Sequence, residues 1–137
     1  MSDRIPAGPP SELEMAVDLL GPLQGRIMRV VWQRRVTAPF HVRDVLALMP
    51  ELAYTTVMTT LNRLADRRLL ERNAAPKQRA HQYRPTGTPD EFLRETSTAQ
   101  VEELIARFGD TAMAAFAARL DQLTPSQLRR LRALADR

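Results

Sequence analysis

Ala53-Tyr54-Thr55-Thr56-Val57-Met58-Thr59-Thr60-Leu61-Asn62-Arg63-Leu64 sorts its residues onto two helical faces of different character. Val57, Leu61 and Leu64 recur at i, i+4 and i+7, the spacing of an inward apolar stripe. Opposite them stand Thr55, Thr56, Thr59, Asn62 and Arg63. Threonine and asparagine are indifferent helix formers, so propensity does not explain this face. Their chemistry does: hydroxyls donate or accept, threonine methyls touch the thymine methyl, and asparagine grips adenine in two places. The stretch therefore reads as a helix built to meet DNA base edges.

Working outward, Gly21-Pro22 marks a helix start, and Leu23, Ile27, Val30 and Val31 follow at helical spacing up to Trp32. Residues 36–40 form a short extended piece, and Val42, Val45, Leu46 and Met49 make a second short helix that ends at Pro50. The reading helix comes third and ends near Arg67 and Arg68. After it, residues 69–72 and 79–85 have strand character around a polar turn at 73–78, which makes a hairpin. Three helices and a hairpin, in that order, make a winged helix-turn-helix domain. Ahead of it, Ser11 can cap a short helix through Leu20, and the proline-rich residues 2–10 read as disordered or loosely packed.

The last third is helical. Thr88-Pro89-Asp90-Glu91 starts one helix and Gly109 stops it, a second spans 110–120, and Thr124-Pro125-Ser126-Gln127 carries a capping box for a third. Phe92, Leu104, Phe108, Phe116, Leu120, Leu128 and Leu131 lie on apolar stripes with little to bury against in so short a segment. A second copy of the chain is the expected partner for them.

The chain has 137 residues, 44% hydrophobic and 26% charged, one domain's worth of ordinary globular composition. It has no cysteine, so disulfides, thiolate zinc sites and cysteine nucleophiles are excluded, which suits a reducing cytoplasm. No apolar run is long enough for membrane insertion, and the first ten residues do not resemble a signal peptide. From Arg26 to Arg84 twelve basic residues stand against four acidic ones, whereas from Thr86 onward seven arginines face eight acids. A basic first half is the footprint of a polyanion-binding module.

The ordered set Leu20-Gly21-Pro22-Leu23, Ile27-Met28, Trp32, Val42-Arg43-Asp44-Val45, Leu52 through Leu64, Leu69-Leu70-Glu71-Arg72 and His81-Gln82-Tyr83-Arg84-Pro85 closely resembles the penicillinase-repressor (BlaI/MecI/CopY) family. The resemblance covers about residues 20 to 137. It implies a mainly α chain with a small β-hairpin, divided into an N-terminal extension (1–19, partly disordered), a winged-helix DNA-binding domain (20–86) and a helical dimerisation region (87–137). It also implies a homodimeric repressor on a palindromic double-stranded DNA operator, of the kind that regulates antibiotic resistance, with a membrane metallopeptidase sensor as a candidate partner for release by proteolysis. Thr55, Thr56, Met58, Thr59, Asn62 and Arg63 fall on the helix that enters the major groove, with Tyr54 at its mouth. Arg43, Lys77, Arg79 and His81 are candidates for phosphate contact, which positions a protein without specifying sequence.

Departures from the family narrow the reading. The copper-sensing branch uses cysteine pairs that this chain lacks, and residues 95–101 contain no Asn-Phe pair of the kind cleaved in the β-lactam branch. There is no phosphate loop, no metal-ligand cluster and no serine–histidine arrangement, so neither an enzyme, a metal site nor a cofactor is expected. His41 and His81 show no partner at metal-ligand spacing. Two alternatives stay open: a MarR-type ligand-responsive regulator, and a winged helix used for protein contact.

Overall fold

The computed structural model describes residues 11–74 and 81–136. In chain order these form α1 (Glu12–Asp18), α2 (Pro22–Trp32), α3 (Val42–Leu48), α4 (Tyr54–Asp66), β1 (Leu70–Ala74), β2 (His81–Pro85), α5 (Pro89–Phe108), α6 (Asp110–Asp121) and α7 (Pro125–Ala135). This is the expected mainly α chain with one antiparallel hairpin. It divides into a unit through Glu95 and a unit from Thr96.

In the first unit, α2, α3 and α4 turn their apolar faces onto one core with the hairpin closing it. Ile27, Phe40, Val45, Val57, Leu61 and Leu64 have no solvent exposure. Phe40 does more than fill space. Its backbone exchanges both hydrogen bonds with Tyr83 (2.9 and 2.8 Å), and the two rings stack at 6.0 Å, so the extended piece expected at 36–40 is a one-residue bridge onto β2.

Two helices end in a way the sequence does not advertise. After α2 the Arg34 and Arg35 N–H groups donate to the carbonyls of Val31 and Val30, and after α4 those of Arg68 and Leu69 donate to Ala65 and Leu64. This is the Schellman closure, which needs a left-handed residue just past the helix and usually takes glycine. Here arginines do it, Arg34 at φ 58° and Arg68 at φ 64°.

α1 packs against α2 in this unit. Ser11 Oγ accepts the Glu14 N–H at 3.2 Å, Ala16 and Val17 are buried, and the Glu14 carboxylate receives two hydrogen bonds from the Arg29 guanidinium. That pairing holds the Glu14 carboxyl below its usual range. The contact is close because α2 carries Gly25: a Cβ there would lie 2.6 Å from the Val17 carbonyl oxygen.

The start of α5 also packs on this unit. Trp32 Nε1 donates to the Gly87 carbonyl at 3.0 Å and its ring lies 5.9 Å from Phe92, so the first turns of α5 pack on the winged core. Phe92, expected in the dimer seam, is partly buried against this core within its own chain.

The second unit holds the rest of α5 with α6 and α7. Thr124 and Gln127 form the expected reciprocal box, at 3.0 and 3.2 Å. Among its described residues only Ala112 is buried, while Phe108 is 51% and Met113 53% exposed.

Candidate nucleic-acid interface

α4 carries the candidate readers on a rigid base. With Val57, Leu61 and Leu64 fully buried, its opposite side is fixed outward. Thr55, Thr59 and Arg63 are exposed, as is Met58 at its edge, and Thr56 is half-buried. Thr60 faces the core, its hydroxyl donating to the Thr56 carbonyl at 2.7 Å, and so is not part of the surface.

The start of α4 is open. Its N-cap is Ala53, which offers no side-chain acceptor, so the first-turn N–H groups of Tyr54, Thr55 and Thr56 lack the partner that serine or aspartate would supply. Tyr54 is itself exposed. Open amides at the positive end of a helix dipole suit an anion.

Some cations of this unit are already engaged. Arg26 pairs with Glu51 at 2.6 Å and Arg29 with Glu14, so these are neutralised. Arg67 reaches Gln24 at 2.7 Å. Arg43 on α3, Arg63 on α4 and Arg84 on β2 make no ion pair among the described residues, and the sequence reading passed over Arg84. His81 is exposed at the start of β2. Lys77 and Arg79 lie outside the described residues, so the structure places neither.

His41 has an acidic neighbour three residues on in the sequence. Asp44 accepts the His41 backbone N–H at 2.8 Å, with the imidazole 3.6 Å away, and the pair caps α3. No group of three or more metal-ligating side chains occurs among the described residues.

Asn62 departs from the expected picture. It is half-buried under the hairpin, and its side-chain carbonyl accepts from Tyr83 Oη at 2.8 Å and from Arg72 at 3.1 Å. Burial pushes the Tyr83 phenol above its ordinary pKa, which keeps it a neutral donor. A two-handed grip on adenine needs that carbonyl free. Tyr83 and Arg72 were missed as partners because they lie 21 and 10 residues away in sequence.

Comparison with known proteins gives three results. The penicillinase repressor family model matches residues 20–137. Transcriptional regulators BlaI from two strains of Mycobacterium tuberculosis are each 40% identical over 90 residues, 61% of this chain and 62% of theirs, so the chain spans under two thirds of their length. Among solved structures, MepR, a transcription regulator of the Staphylococcus aureus multidrug efflux pump MepA, aligns over 91% of this chain and 85% of its own with 14% identity and a TM-score of 0.44. A transcriptional regulator from Thermotoga maritima aligns over 88% and 85%, with 19% identity and a TM-score of 0.45. Superpositions this loose carry no functional argument.

Proposed function

This chain belongs to the penicillinase-repressor family, and on that premise we propose that it is a DNA-binding transcriptional repressor that docks α4 in the major groove of a palindromic operator as a homodimer. The observation that carries the reading is the outer face of α4, polar and cationic on a helix whose inner stripe is fully buried. Thr55, Thr56, Met58, Thr59 and Arg63 meet base edges, with Asn62 among them. Arg43, Lys77, Arg79 and His81 meet phosphates, and the open amides at the start of α4 accept another beside Tyr54.

The tail supports the dimer. Leu104, Phe108, Phe116, Leu120 and Leu131 are all exposed in the single chain. An apolar surface of this kind marks an interaction site, and a two-fold pair of tails would match a two-fold operator. Release by a membrane metallopeptidase sensor rests on the family alone. No described helix is long and apolar enough to cross a membrane, and a repressor of this kind works in the cytoplasm, where its operator is.

The test is fluorescence anisotropy of the full chain with duplexes from its own promoter region and with random duplex, over a range of salt. Tighter binding to a promoter duplex, weakening steeply with salt, is the expected result. Absence of binding to any duplex would contradict it and favour a protein-contact role.

A further inference from the structure

Asn62 stands in the middle of α4 among the groups that face DNA, yet one side of its amide is already engaged. Tyr83 Oη and Arg72 Nη1 both donate to Asn62 Oδ1, at 2.8 and 3.1 Å. Arg72 and Tyr83 are direct partners across the hairpin, so both wing strands converge on one atom of the reading helix.

The orientation of the amide follows from the chemistry of its partners. A guanidinium has donors only, so the atom it meets must be the oxygen. Tyr83 is 1% exposed and bridged to Phe40 through its backbone, which leaves its hydroxyl little freedom to turn away. Both lone pairs of Oδ1 are filled, and the side chain keeps only its NH2 group for anything outside.

That changes what Asn62 can read. An unrestrained asparagine matches adenine by donating to N7 and accepting from N6, whereas guanine shows two acceptors, N7 and O6, on the same edge. An amide with no free acceptor loses half of the adenine contact and sets its own N–H groups against the adenine amino group. We propose that Asn62 is a donor-only reader, oriented by Tyr83 and Arg72, that selects guanine over adenine in each half-site. This rests on the DNA-reading function proposed above.

The experiment is selection of a random-sequence duplex library by the full-length protein, followed by sequencing, for the wild type and four variants. Asn62→Ala should make one base pair per half-site indifferent, and the wild type should hold guanine there. Tyr83→Phe with Arg72→Leu frees the carbonyl and should raise acceptance of adenine at that pair about tenfold; Tyr83→Phe alone keeps the buried ring and should shift it the same way by less. Asn62→Asp keeps both bonds from the wing but replaces the NH2 with an acceptor, and should lose guanine. Adenine at that pair in the wild type, no pair made indifferent by Asn62→Ala, or an unchanged preference in the unlocked variants would each overturn the proposal. If the wild type retains no duplex at all, the DNA-reading function itself fails instead.

Discussion

The unit through Glu95 and the unit from Thr96 are both mainly helical, but they bury their apolar residues on different terms. Among the described residues, the first encloses seven large side chains with no exposure at all, while the second buries only Ala112. Apolar residues recur along the helices of both, but they segregate to one face strongly in α2, α4 and α7 and only weakly in α5 and α6. What separates them is that α2, α3, α4 and the hairpin converge on one another, whereas the stripes of the tail find no such enclosure within one chain. An apolar stripe therefore predicts a buried surface without saying which molecule covers it.

Phe40→Ala tests that contrast most severely. It removes a fully buried ring and its stacking on Tyr83, and should cost about 3–5 kcal/mol in urea unfolding at any protein concentration. Phe116→Ala, the same chemical change at an exposed ring of the tail, should cost little in dilute protein and more as concentration rises if a second copy covers it as proposed. Equal, concentration-independent losses would break the comparison.

Leu131→Asp addresses the tail directly. A carboxylate in the proposed seam should give a monomer in sedimentation equilibrium and, on the proposed two-fold operator, weaken binding by roughly 10²-fold. Leu128→Asp should act alike. A variant that stays dimeric would move the seam elsewhere.

Gly25→Ala sharpens where the first unit begins. A methyl 2.6 Å from the Val17 carbonyl forces α1 away from α2, for about 1–3 kcal/mol by thermal or urea unfolding. No loss would mean that α1 contributes nothing to the winged unit. A smaller effect concerns Glu14, whose carboxyl is lowered by hydrogen bonds from Arg29. A depressed folded pKa stabilises above the unfolded value of 4.5 and loses that stabilisation as pH falls through the folded value. Arg29→Ala should flatten this part of the stability–pH curve; an unchanged curve would show that the pair does not act in solution.

What was legible in the sequence was local. The spacing of Val57, Leu61 and Leu64 identified the buried side of α4, and Thr124-Pro125-Ser126-Gln127 identified the start of α7, because each signal lies within one or two helical turns. Helix ends at Arg34 and Arg68 carried no glycine to announce a left-handed residue. Phe92 read as one more apolar residue of a tail helix, and only the fold sets it against Trp32, sixty residues earlier in the chain. Asn62 illustrates the same limit within the site. Its place on the reading helix follows from periodicity, but the groups that engage its carbonyl arrive from the hairpin.

The proposed function stands or falls on whether the outer face of α4 reads base sequence. The most direct measurement is the ratio of promoter to random-duplex affinity for the wild type and Arg63→Ala, at one salt concentration. Arg63 is exposed and without an ion pair among the described residues, so its removal should leave the fold intact. Promoter affinity should fall about tenfold or more while random-duplex affinity falls much less. Equal losses on both duplexes would contradict it.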